Sequence, residues 1–390
     1  MKHLLLVLFI VALTGCKERN IRPAQIEPDS TLSYLLYIGT YTEKEAHVDG
    51  KAEGIYVYRM NSHTGKLSYV STSPFTVNPS FLDISNDGKY LFAVNETGGK
   101  IPGGVSAFRI TGNYEQLEFI NQVSSEGDYP CYIEIDKNGN FILAANYGSG
   151  TVALVEIEAD GSLNSDASIH KHEGKGTTSR QASAHAHCIM SSPDRRFAYS
   201  ADLGTDKIYI YSTNNKRLEL TGIYEAADGS GPRHLAFHPD KSIVYSINEL
   251  NGTIECMYRD TLSGMLRLFQ TVSNVSGGAA SDAGSADIHL TPAGDFLYAT
   301  NRGNFNNITV FRVDDDGKLR YIAEKSVKGK TPRNFAIDPS GRFLLVANQN
   351  SDQVVTFRID PVTGRLADTG IESNIPTPVC IKFLPAIREH

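Results

Sequence analysis

The chain has 390 residues, 41% of them hydrophobic and 21% charged, which is the composition of a folded globular protein with material for a large core. A net charge of −7 argues against a nucleic-acid binder, because a phosphate backbone calls for a basic face. No apolar run is long enough to cross a bilayer as a helix, so the body is expected to be soluble.

The first sixteen residues stand apart from the fold. Lys2 and His3 precede an apolar run from Leu4 to Leu13, which closes in Leu13-Thr14-Gly15-Cys16. This resembles the lipobox of bacterial lipoproteins, in which the leader is cut before the cysteine and that cysteine receives lipid. Cys16 is therefore the expected lipidation site, and the expected location is the cell envelope, anchored to a bacterial membrane. Residues 17–33 are polar, carry Pro23 and Pro28, and lack apolar periodicity. They read as a tether with a reach of about 20–25 Å if flexible. The folded domain is expected over 34–390.

From Ser80 onward one pattern recurs. Two short apolar strands flank a Ser-Pro-Asp-Gly-like turn, and the second strand often ends in Asn. The pairs run Ser80–Glu96, Cys131–Tyr147, His187–Leu203, Arg233–Glu249, Ala286–Arg302 and Arg333–Gln349, each with its ends sixteen positions apart. The turn residues Asp87, Asn138, Asp194, Asp240, Ala293 and Ser340 hold one place in all six. Tight hairpins need Pro, Asp, Asn and Gly there for their preset or positive φ. A third strand follows each pair, and a fourth usually follows a turn containing Gly65, Gly317 or Gly364 and their counterparts. Four antiparallel strands per repeat make the blade of a β-propeller.

The seventh blade is divided between the chain ends. Leu35 to Tyr41 reads as a second strand lacking a first, and Thr377 to Phe383 as a first strand lacking a second. Their pairing would close the ring and remove the open sheet edge. The fold class is all-β, a seven-bladed propeller. Cys131, Cys188, Cys256 and Cys380 show no metal-like spacing and read as buried free thiols. Asp83 and Asp136, at positions common to several repeats, read as structural.

Antiparallel return puts the start of each first strand and the end of each second strand at one mouth of the channel. His187, Arg233, Glu249, Arg302 and Arg333 fall at such positions on four consecutive blades, with Glu96 on another. Convergent ionisable groups in a cleft define a candidate binding site. The alternative is an ion-pair network that merely plugs the channel. His170/His172 and His185/His187 form two His-x-His pairs, but no carboxylate or thiol sits at ligand spacing beside both, so no metal is expected. No phosphate loop, nucleophile elbow or HExxH motif is present.

Gly231-Pro232-Arg233-His234, Phe237-His238-Pro239, Asn248-Glu249-Leu250-Asn251, Ala286-Asp287-Ile288-His289, Asn301-Arg302 and Pro332-Arg333 together resemble the seven-bladed lactonase propellers. That family includes bacterial 6-phosphogluconolactonase, with fungal carboxymuconate cycloisomerase as a relative. The resemblance covers residues 34–386 and implies hydrolysis of a sugar lactone without a cofactor. It carries a catalytic histidine, two arginines and a glutamate onto His187, Arg233, Arg302 and Glu249. His187 is the expected base or water-orienter, and the arginines would stabilise negative charge. Glu249 between them is expected to have a lowered pKa. His185, Arg333, Gln349 and Glu96 are the candidate substrate contacts. The expected partner is a small lactone, met by a monomer that touches the membrane only through Cys16. A muconate-type ring closure and a non-catalytic binding module are the competing readings.

Overall fold

The computed structural model describes residues 33–45, 48–277 and 282–384. The predicted leader, Cys16 and all but the last residue of the predicted tether lie outside them. Seven four-stranded antiparallel sheets are arranged as the blades of a propeller. Blade one is the divided one: its innermost strand is Pro378–Phe383, and Ser33–Thr40, Tyr56–Asn61 and Leu67–Thr72 follow outward. Leu36 pairs with Phe383 and Ile38 with Ile381, which closes the ring. Ser33, the last residue of the predicted tether, pairs with Asn61.

Blades two to seven follow in chain order. Their innermost strands are Leu82–Ile84, Pro130–Ile135, Ala186–Ser191, Pro232–Phe237, Ser285–Leu290 and Pro332–Ile337. Second strands such as Phe141–Asn146 and Phe343–Asn348 are buried along their whole length. Each blade is covered on both faces by its neighbours, so these strands read as unbroken apolar runs. Outer strands such as Leu366–Asn374 alternate between covered and exposed residues, as a half-solvated edge should.

Two polar devices repeat around the ring. In blades two to seven the residue after the inner strand caps the hairpin turn: Ser85 Oγ accepts from Tyr90 N at 2.9 Å, Asp136 Oδ2 from Asn138 N at 3.1 Å, and Ser192 Oγ from Phe197 N at 3.1 Å. The second device joins blades. An inner strand has no sheet partner on its channel side, and its free N–H groups bond to side chains of the preceding blade. Asp83 accepts from Ile135 N at 2.9 Å and Glu134 from Ser191 N at 2.7 Å. Asp287 accepts from Phe335 N at 3.1 Å and Asn334 from Ile381 N at 2.8 Å. Asp83 and Asp136 thus occupy structural positions. All four body cysteines are buried and free.

Replacing Ile38 by Ala would leave a cavity in the closing pair, since Ile38 and Ile381 are both buried there. The expected loss is about 2–5 kcal/mol of stability, read as a lower urea midpoint with an unchanged slope. An unchanged midpoint would show that closure contributes nothing to stability.

Candidate functional site

The mouth is built by a backbone irregularity that recurs. In six blades the inner strand carries a β-bulge at its start, at Cys131, His187, Arg233, Ala286–Asp287, Arg333 and Val379. A bulge leaves its residue out of the ladder and re-aims the side chain. Two residues earlier, six blades hold a left-handed backbone: Asn78, Tyr129, Gly231, Gly284, Thr331 and Thr377. The carbonyl there accepts the N–H of the residue just past the second strand, as in Glu96 to Asn78 at 3.0 Å and Glu249 to Gly231 at 2.8 Å. A Cβ on Gly231 would meet the Leu250 side chain at 2.5 Å, so both its φ and its space require glycine.

Glu249 is the hub. Its Oε2 lies 2.8 Å from Arg302 Nη2 and 3.0 Å from Arg233 Nε, and its Oε1 lies 3.1 Å from Arg180 Nη2. The Arg233 Nε–H is not aligned for a hydrogen bond, so that contact is ionic. Burial alone would raise the Glu249 carboxyl, but Arg302, Arg233 and Arg180 override it and hold the group at about 2. Burial, then Arg302 and Arg333, lower Arg233 to about 9. Arg302 also donates from Nε to Gly284 O at 2.8 Å.

His187 is buried, edge-on to both Tyr147 and His234. Burial, then Arg233, His234 and Arg333, push its pKa well below 6.5, so the imidazole is neutral at neutral pH. Cys131 Sγ lies 3.7 Å from His187 Nδ1, but burial and Glu96 push the thiol far above its ordinary range and keep it protonated. Across the mouth, Glu96 Oε2 accepts from Tyr41 OH at 2.7 Å and from Ser80. Its Oε1 lies 3.9 Å from Arg333 Nη2, and Arg333 also sits 5.9 Å from the centre of the Tyr41 ring.

These groups surround a cavity of about 490 Å³, within the usual size of a small-molecule site. His187, Glu249, Arg302, Arg333 and Glu96 line it. Arg233 lines a narrower space that shares Cys131 and Arg333 with the cavity.

The model of the family described as "Lactonase, 7-bladed beta-propeller" matches residues 35–383. The chain belongs to that family. It is 34% identical over 352 residues to the 6-phosphogluconolactonase of Bacillus subtilis, covering 90% of this chain and 98% of that one. A 6-phosphogluconolactonase of Formosa agariphila is 36% identical over 339 residues, 85% of this chain and 94% of that one. Among solved structures, the periplasmic gluconolactonase of Pseudomonas aeruginosa superposes with a TM-score of 0.85 at 34% identity, over 92% of this chain and all of that one.

Two of the expected substrate contacts in this lactonase-family propeller lie outside the cavity wall. His185 stacks on the Tyr147 ring at 4.5 Å, and its Nδ1 lies 2.9 Å from Tyr147 O, so it braces that tyrosine. Gln349 is buried and donates to Asn350 Oδ1 at 3.0 Å. His172, from the other His-x-His pair, meets Asp202 at 2.7 Å and Tyr211 OH at 2.8 Å, which occupies both ring nitrogens.

Other wall residues escaped the sequence reading. Tyr147 and Cys131 hold repeat positions at the mouth but were passed over in a search for charge. Arg180 lies off the repeat register, in the long loop before blade four. The neighbouring Gln181, fully buried, donates to Leu203 O at 2.9 Å and Asp206 Oδ1 at 2.7 Å, which pins the loop and lets Arg180 reach over the mouth. Glu45 comes from an insertion with no counterpart in other blades.

Glu249→Ala would strand Arg233 in the interior without its counter-charge. A loss of about 3–5 kcal/mol is expected in urea unfolding, and a variant as stable as the parent would show that the cluster is not held by this carboxylate.

Proposed function

We propose that the chain hydrolyses a sugar lactone in this cavity, with His187, Arg233, Glu249 and Arg302 as the working residues. The observation that carries the proposal is a buried carboxylate holding three guanidinium groups beside a neutral imidazole at the cavity wall. The chemistry named for the Bacillus, Formosa and Pseudomonas relatives supports the same reading.

The reaction requires water to add to the ring carbonyl, the ring C–O bond to break, and a proton to reach the departing ring oxygen. Charge develops on the carbonyl oxygen. Arg302 lines the cavity and commits Nε and Nη2 to the protein, leaving Nη1 to face that oxygen. A donor fixed before reaction stabilises charge without reorganising. Glu249, held near 2, is a poor base; its part is to keep the mutually repelling arginines together. His187, neutral and without a strong partner on its ring, orients the water and takes its proton. Arg333 and Glu96 are placed to contact the substrate's remaining groups.

Arg302→Ala should lower kcat for lactone opening on the order of 10²–10³-fold, measured above spontaneous hydrolysis with the fold checked by circular dichroism. Undiminished turnover would remove Arg302 from the reaction. Because the folded-state pKa of His187 is depressed, its base form persists as pH falls through 6.5. The acid limb of kcat/KM should therefore appear well below 6.5, and a limb at the ordinary histidine value would assign the base elsewhere.

We also propose that Cys16 carries lipid and holds the protein in the envelope, a setting that the periplasmic Pseudomonas relative supports. Cys16→Ala should move the protein from the detergent phase to the aqueous phase in a phase-partition assay. Equal partition of both forms would remove the anchor.

A further inference from the structure

We infer that His234 is a positioning residue for the reaction: Asp287 holds it with a bare Nε2, which grips Arg233 and keeps that guanidinium from turning onto Glu249. The inference rests on the lactonase reading and adds to it two residues that act through Arg233.

Arg233 is held from the side away from Glu249. Its Nη1 donates to Ala286 O and, at 3.3 Å, to His234 Nε2. Side chains of consecutive residues point to opposite faces of a regular strand, and the bulge at Arg233 is what lets these two meet. An arginine beside a carboxylate ordinarily takes both oxygens through two parallel N–H bonds. Arg233 does not, for its Nε lies 3.0 Å from Glu249 Oε2 without alignment. The two bonds on Nη1 fix the guanidinium plane in another direction. Glu249 therefore keeps Oε1 for Arg180 at 3.1 Å and Oε2 for Arg302 at 2.8 Å. Releasing Arg233 would let it compete for those oxygens and loosen Arg302, the donor assigned to the oxyanion.

The grip works in one tautomer of His234 only. Arginine has no acceptor, so Nε2 must offer its lone pair. Asp287 sets that tautomer from the next blade, with Oδ1 2.8 Å from His234 Nδ1. Its Oδ2 accepts from Asn334 Nδ2 at 2.6 Å and Phe335 N at 3.1 Å, and lies 3.0 Å from His289 Nε2. Burial would raise the Asp287 carboxyl, but His289 and His234 hold it well below its ordinary range. An ionised carboxylate only accepts, which puts the His234 proton on Nδ1. Burial, then Arg233, lower His234 to about 4 and keep a second proton off Nε2. Phe81 and Tyr132 pack edge-on to the ring at 5.9 and 5.4 Å and hold it in place.

The test uses the full chain, detergent-solubilised, and whichever of glucono-1,5-lactone and its 6-phosphate the parent opens faster above spontaneous hydrolysis. His234→Phe keeps the ring packing and removes both nitrogens. Its kcat should fall on the order of 10–10²-fold with KM within about threefold of the parent. His234→Gln restores an acceptor toward Arg233 and should recover most of that loss. Independently, ¹⁵N NMR of histidine-labelled parent should show the imidazole that His234→Gln deletes as protonated at Nδ1 and bare at Nε2. Parental turnover in a folded His234→Phe overturns the inference and leaves the lactonase reading intact. So does a glutamine variant no better than the phenylalanine one, or an Nε2–H tautomer in the parent. If His234→Phe does not fold, the glutamine variant must keep most of the parental kcat and the parent must show the Nδ1–H form, and failure of either overturns the inference. A parent that accelerates neither lactone overturns the lactonase reading and this inference together.

Discussion

The pairing of Ser33–Thr40 with Pro378–Phe383 is the contact on which the rest of the molecule depends. Each blade can satisfy its own ladder, but no blade can bury both faces alone. Burial requires a neighbour on each side, and seven blades supply one to every member only if the ring is shut. The side-chain bonds from Asp83, Glu134, Asp287 and Asn334 to the next inner strand act on the same principle. They satisfy backbone donors that an open edge would leave to water.

Closure also makes the site. The mouth residues come from positions far apart in sequence, and a ring brings their strand ends to one axis. The bulge turns each starting residue out of the ladder, and the left-handed residue before it draws back the chain beyond the second strand. Tyr129, Thr331 and Thr377 adopt that left-handed backbone without being glycine. Such strain persists where the surroundings over-determine it, and here it surrounds a cavity.

The electrostatics follow from burial. Arg233 and Arg302 would repel each other in the interior, and both are lowered by being there. Glu249 makes their proximity tolerable, and in return they keep it ionised. The arrangement is costly to assemble and loses its balance if one partner is removed. It provides fixed positive charge at a cavity wall, which is what a reaction developing an oxyanion can use.

The strand order, the number of blades, the divided blade and the hub of Glu249 with Arg233 and Arg302 were legible because each is a function of position within a repeat. Strict spacing converts sequence into angle around the ring. His185 and Gln349, which the same logic offered as substrate contacts, also meet neighbours within the protein, His185 through Nδ1 to Tyr147 O and Gln349 through Nε2 to Asn350 Oδ1. That logic overlooked Tyr147, whose repeat position was read for charge alone. Arg180 and Glu45 could not be found that way, since they stand on a loop and a hairpin outside the repeat. The sequence by itself determined the ring, since apolar period and turn chemistry are local. Tertiary structure decided which side chains face the cavity and how their charges are paired, because field and burial depend on neighbours from other blades.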